Sequence, residues 1–302
     1  MTFHCCSQRR TYNGVGRGVP MNIDRETLKV APCLELAVTY KREVRVGIER
    51  IWENIFDWEH LPFLHEIYFN AVELIDMGCW GWRVALTKRP GTLGRRLVLE
   101  LRADRANARY RVQTLAGDGT GTEIWTLLEP VGLHQTAIEV RYYLPERRPE
   151  RLKALAEKYR CSCKQLWDED EAMMMRRDDM TARAAARPGR SGTPLPLFLG
   201  SISEIRRRLP LVVEFDGEDV RLIELDDGTL LAHATTCPHW LGPLDEAAPE
   251  NGVVRCPWHG YLFDVRTGES ADGRGYRLAV APRVVVDPGT GGVSLIPCAR
   301  AS

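Results

Sequence analysis

The chain has 302 residues, of which 44% are hydrophobic and 27% charged, and its 41 Lys and Arg balance 41 Asp and Glu. That length predicts two domains, and the even charge offers no electrostatic footprint for nucleic acid or an anionic membrane. No apolar run approaches the roughly 20 residues of a bilayer span and the polar start lacks a signal core, so the expected location is the cytoplasm. Nine cysteines are an odd set without a secretion signal, which predicts free thiols outside any metal site.

In chain order, residues 1–32 read as a disordered tail, with Met21 as an alternative start. The glycine-rich Gly14 to Gly18 follows no strand and makes no dinucleotide site, and Cys5 and Cys6 beside His4 sit on a tail too flexible to be expected to hold metal. Leu34, Leu36, Val38 and Tyr40 alternate as a half-buried strand. Ile48, Ile51, Trp52 and Ile55 then share one face of a helix over 48–58. Strand-like runs follow at 71–77, 81–87, 95–102, 108–115, 122–130 and 135–143, with Gly117 to Gly121 as a hairpin turn. A long helix over 149–178 closes this module, residues 33–180. Residues 181–196, rich in Arg, Gly and Pro, read as a linker. Residues 197–302 read as a small all-β domain with strands at 211–215, 220–225, 230–234, 253–256, 277–280 and 284–286.

Two places carry chemistry. In the second module, Cys237-Pro238-His239-Trp240 and Cys256-Pro257-Trp258-His259 each pair one thiolate with one imidazole. Four such ligands suit a [2Fe–2S] cluster with Cys237 and Cys256 on one iron and His239 and His259 on the other. A Cys2His2 zinc site is the rival, although zinc pairs usually keep like ligands together.

In the first module, Asp57, His60 and His65 form the pattern D-x-x-H-x-x-x-x-H. Two histidines and a carboxylate are the donor set of non-haem Fe(II) sites with open positions. Five residues on an unbroken helix would place the imidazoles about 140° apart. Pro62 is expected to push Leu61 out of helical geometry and kink the chain between them. A third ligand is sought on the long helix, where Leu152, Leu155, Tyr159, Cys163, Leu166 and Met173 define a buried stripe. Asp170 falls on that stripe and Asp168 on the opposite side, so Asp170 is preferred and Asp168 held in reserve. The plainer alternative is that the histidines pack or cap and that Asp170 pairs with a cation such as Arg177. His134 and His233 have no motif partners.

The two Cys/His segments, with Gly242-Pro243-Leu244 after the first and Gly260 to Asp264 after the second, resemble the Rieske domain of ferredoxins and aromatic-ring oxygenases. Gly242 and Trp258 stand where respiratory Rieske proteins carry a disulfide. This resembles the lower-potential branch, near roughly −150 mV. The element order of the first module resembles the START-like helix-grip fold, in which an antiparallel sheet wraps a long terminal helix around an apolar cavity. The expected class is therefore α+β. The Asp57–His65 segment resembles the iron motif of Rieske non-haem iron oxygenases, with the domain order reversed relative to the usual α subunit.

That resemblance implies a mono- or dioxygenase with a Rieske [2Fe–2S] cluster and a mononuclear Fe(II). His60, His65 and Asp170 are then iron ligands, and Asp57 bridges to a cluster histidine. It also implies dioxygen, an apolar aromatic or lipid-like substrate and an NAD(P)H-dependent flavin reductase, with or without a ferredoxin between them. A homo-oligomer, by family a trimer, is expected too. The alternative is a Rieske ferredoxin-type electron carrier fused to a START-like ligand-binding module without a second iron. A third reading, a redox-responsive interaction protein, has no dedicated sequence support.

Overall fold

The computed structural model describes residues 30–31, 33–88, 96–186 and 194–298. The expectations for the tail, for Arg95 and for the centre of the linker lie outside these residues.

The first module is one antiparallel sheet wrapped around a helix. β1 (Glu35–Val44) leads into α1 (Ile48–Phe56) and the short α2 (Leu61–Leu64). The chain then runs back strand by strand through β2 (Phe69–Gly78), β3 (Gly81–Lys88), β4 (Arg96–Asp104), β5 (Arg109–Ala116), β6 (Glu123–Gly132) and β7 (Gln135–Leu144). The spatial order is β1-β7-β6-β5-β4-β3-β2, so the last strand pairs with the first. Period-two burial is clearest in β7, where Thr136, Ile138, Val140, Tyr142 and Leu144 all face inward. Gly117, Gly119 and Gly121, all at positive φ, make the turn from β5 to β6.

The 38-residue α3 (Pro149–Ala186) lies in the grip of this sheet. Cys163, Trp167 and Met174 join Ile51, Trp52, Val84, Leu86 and Val140 in the core. α3 runs to Ala186, so the expected linker begins as helix: its alanines and arginines are good helix formers, and the breakers start only at Pro188.

The second module has three small sheets. β8 (Leu197–Ser201) lies beside β15 (Gly292–Ile296), which pairs with β14 (Arg283–Val286). β9 (Leu211–Phe215), β10 (Glu218–Glu224) and β11 (Leu230–Ala234) form the second sheet, and β12 (Val253–Arg255) with β13 (Leu262–Asp264) the third. It is mostly rather than wholly β. α4 (Ile202–Arg208) is nucleated by a capping box in which the Ser201 hydroxyl accepts from the Glu204 backbone and the Glu204 carboxylate accepts from the Ser201 N–H. The expected strand at 277–280 is reduced to a single bridge between Arg277 and Glu269.

The modules interlock through α3 and α2. Met173 and Leu64 pack into the core that holds Cys237, Cys256 and Phe263.

Candidate metal centres

The two Cys/His loops are the same turn built twice. The amide of Leu241 donates to the carbonyl of Cys237 at 3.0 Å, and that of Gly260 to Cys256 at 2.9 Å. The amides of Cys237 and Cys256 donate in turn to the carbonyls of Gly242 and Tyr261. Each loop turns through a left-handed residue, Leu241 at φ +63° and Gly260 at φ +68°. Leucine is tolerated in the first loop. In the second, a Cβ would run into the ring of Phe63 from α2, so glycine is required by both backbone and neighbour.

This scaffold buries both thiols, Cys237 at 0% and Cys256 at 1% exposure. It sets the His239 and His259 rings edge to face with centroids 4.5 Å apart. The Nδ1 atoms of both histidines are buried without a hydrogen-bond partner, whereas both Nε2 atoms have polar neighbours: Asp57 for His259 and the Tyr261 hydroxyl, at 3.4 Å, for His239. Buried orphan donors or acceptors are costly. Two inward Nδ1 atoms and two buried thiols fit a bridged pair of irons. Gly242 keeps the space clear: a Cβ there would lie 2.7 Å from Cys256 Sγ.

The second centre draws on three elements. α1 ends at Phe56, and Asp57 leaves the helix in an extended conformation. His60 and His65 then flank α2 (Leu61–Leu64) as its N-cap and C-cap residues. The break expected between the histidines at Leu61 is absent: Leu61 is helical, because proline is compatible with a first helical turn. The imidazoles converge because the helix stops at His65, whose backbone has φ −104° and ψ 40°. Their ring centroids lie 5.1 Å apart.

α3 supplies the carboxylate. Asp170 Oδ1 lies 3.5 Å from His60 Nε2 and 3.2 Å from His65 Nε2. One ligand atom from each of these three residues lies within 4.8 Å of the other two. That Asp170 oxygen is buried and has no aligned hydrogen-bond donor, an orphan that suits a cation. Asp168 points away to Arg42 and Lys164. Arg177, the cation weighed as a partner for Asp170, pairs with Glu53 and stacks on Trp240.

One atom links the two centres within the same chain. Asp57 Oδ2 lies 2.6 Å from His259 Nε2 and 3.3 Å from His60 Nδ1. Burial would raise the Asp57 pKa, but its hydrogen bond with His259 and the nearby His60 imidazole outweigh burial and hold the carboxyl well below its ordinary range. Burial likewise lowers His259, but Asp57 and Cys256 overcome it and raise the imidazole to about 9. His239 has no hydrogen-bonded carboxylate and falls to about 3 through burial and the neighbouring His259.

Around this link the surfaces are tightly matched. Tyr261 and Arg274 meet Glu59 at 3.2 and 3.3 Å, and the Arg177 guanidinium lies 3.8 Å from the centre of the Trp240 ring.

Beside His60, His65 and Asp170 opens a cavity of about 190 Å³. Phe69, Trp82, Leu99, Tyr110, Val112 and Ile124 contribute to its walls.

Sequence reasoning did not find Glu169, which hydrogen-bonds His65 Nδ1 at 2.6 Å, or Asn54, whose side chain reaches Asp170. Asn54 had a readable signal, a polar residue on the buried face of α1. Glu169 had none, because it is one of four consecutive acids.

Comparison with known proteins agrees with the second module. Residues 196–278 match the family model of the Rieske [2Fe-2S] domain. Apoptosis-inducing factor 3 of mouse and of human are each 41% identical over 51 residues, 17% of this chain; the chain spans 8% of the length of those curated relatives. Among solved structures, norcoclaurine synthase from Thalictrum flavum aligns with 47% of this chain and 87% of its own at 18% identity and a TM-score of 0.37. The ferredoxin of carbazole 1,9a-dioxygenase from Nocardioides aromaticivorans IC177 aligns with 34% of this chain and 98% of its own at 27% identity and a TM-score of 0.30. Among the described residues no helix is long and apolar enough to cross a membrane. The chain joins an N-terminal helix-grip module, with its apolar cavity, to a C-terminal Rieske [2Fe–2S] domain equipped for electron transfer.

Proposed function

We propose that the chain is a Rieske-type non-haem iron oxygenase, in which the cluster serves a mononuclear Fe(II) held by His60, His65 and Asp170. The observation that supports this reading is the single carboxylate oxygen of Asp57 between His259 and His60. A negative group buried there accepts a hydrogen bond from His259 and faces His60 with its charge, and it makes a short polar route between the two centres.

His60 and His65 turn Nε2 toward Asp170, leaving the remaining side of the site open to the cavity. When bound, the iron supplies dioxygen activation, and the cluster supplies electrons one at a time. Apolar walls exclude water and hold a small apolar substrate: about 190 Å³ is comparable with the roughly 150 Å³ that accommodates benzene in an engineered cavity. An external NAD(P)H-dependent flavin reductase, directly or through a ferredoxin, is the electron source.

A second reading is an electron-transfer protein whose helix-grip module binds a ligand without a second iron. It is favoured by the extent of the family match, which covers the cluster-bearing segment alone. Iron and sulfide analysis of the anaerobically reconstituted protein separates the two. About three irons and two sulfides per chain supports the oxygenase. Two irons and two sulfides, with no gain on adding Fe(II), leaves the ligand-binding electron carrier.

A further inference from the structure

His65 is held from behind by a chain of side chains that touches neither the cluster nor Asp57. Its Nδ1 lies 2.6 Å from Glu169 Oε2. The other oxygen of Glu169 accepts from Gln165 Nε2 at 3.1 Å, and Gln165 Oε1 accepts from the Tyr68 hydroxyl at 2.9 Å. An ionised carboxylate only accepts, so against it His65 Nδ1 is the donor. The tautomer is thereby set, and Nε2 is presented to Asp170 Oδ1 at 3.2 Å. In a neutral ring that arrangement faces a lone pair with a carboxylate oxygen, two acceptors that are satisfied together by a shared cation.

The four consecutive acids of α3 divide their work by direction, as steps of 100° require. Asp168 faces out to Arg42 and Lys164. Glu171 is buried with Arg42 and Arg45. Asp170 faces the histidine pair, and Glu169 takes the back of His65 alone.

We infer that Glu169 is a positioning residue for the metal site. It fixes the Nδ1–H form of His65, orients the ring and makes Nε2 a stronger donor toward a divalent cation, while Gln165 and Tyr68 hold Glu169 in place. Each histidine of the pair thus has its own carboxylate. Asp57 behind His60 leads to the cluster, and Glu169 behind His65 leads toward solvent, with its side chain 26% exposed.

The inference rests on the mononuclear site proposed above. Its test is titration of the full-length, cluster-loaded protein with cobalt(II), followed by equilibrium dialysis and by the visible absorption of the bound ion. Glu169→Gln, similar in shape but uncharged, weakens cobalt binding by about 10–100-fold and alters the cobalt spectrum. Glu169→Ala weakens it at least as much. Asp168→Asn removes the same charge one residue earlier and leaves affinity and spectrum as in the parent. Melting temperature and cluster absorption stay unchanged in all three, which separates positioning from misfolding.

Parent-like cobalt affinity and spectrum in both Glu169 variants overturns the inference, as does an equal loss in Asp168→Asn. Failure of the parent itself to bind one cobalt per chain, with His65→Ala no different, overturns the mononuclear-site reading instead.

Discussion

The two metal-binding regions are built by opposite means. In the Rieske module the four candidate cluster ligands lie on two copies of one short loop, each closed by its own backbone hydrogen bonds. In the helix-grip module the ligand candidates come from the two ends of α2 and from the middle of α3. The first design is local in sequence. The second depends on how a helix is seated in a sheet, and its second layer, Asn54, Asp57 and Glu169, is equally dispersed. The lesson is that local turns shape each Cys/His pair, whereas the other centre needs the whole module.

The sharpest way to break the comparison is to remove one ligand from the dispersed site. His65→Ala is expected to abolish Fe(II) binding at that site and take the iron content from about three to about two per chain, while the paramagnetic signal of the reduced cluster is retained. Loss of the cluster signal in the same variant would show that the regions are not separately built.

Next in size is the link between them. Asp57→Asn keeps the shape but removes the charge. Its cluster is expected to accept electrons from a chemical reductant at the parent rate, while reoxidation by dioxygen in the presence of substrate slows at least about tenfold. Stopped-flow absorbance of the cluster measures both, and an unchanged reoxidation rate would remove Asp57 from the route.

The interface offers a smaller test. Gly260→Ala places a side chain in left-handed backbone and against Phe63. The backbone part alone costs about 1–2 kcal/mol, and the clash adds to it. Chemical denaturation of the single and double variants with Phe63→Ala checks this. The double variant is expected to recover the clash and not the backbone cost, so additivity would show that the ring does not press on the loop.

The smallest expected effect is electrostatic. Arg177, half buried over Trp240, places a cation near His239, where it would favour the more negative, reduced state of a cluster held there. Arg177→Gln is expected to lower the reduction potential by less than about 59 mV, the one-electron equivalent of a tenfold change. Protein-film voltammetry reads it, and a rise in potential would reverse the assignment.

The difference between the regions also explains what the sequence made legible. Cys237, His239, Cys256 and His259 could be picked out because ligand identity and turn geometry are written within a few residues. The strands of the sheet were legible from period-two alternation, and α3 from its length. Asp170 was reachable because helical periodicity carries over long distances: the residue could be placed on a stripe before its partners were known. Glu169 could not, because its partner His65 lies on a different element and nothing in a run of four acids distinguishes it. The role of Pro62 was misjudged because proline breaks a helix interior but suits a helix start, and which applies depends on where α1 stops. The far end of α3 was missed for a related reason, since a composition that reads as a linker is also good helix sequence once tertiary contacts hold it.

The part of α3 that carries Met173 and Met174 couples the folding of the two modules. Met173 and Met174 are adjacent on α3 and both about 1% exposed, yet Met173 packs into the Rieske core and Met174 into the helix-grip core. Melting either core withdraws one wall of the other. Heat or denaturant is therefore expected to give a single cooperative transition in which cluster absorbance and helix content are lost together. The boundary that looks divisible in the sequence is then no place to divide the chain: neither half, expressed alone, retains a complete core.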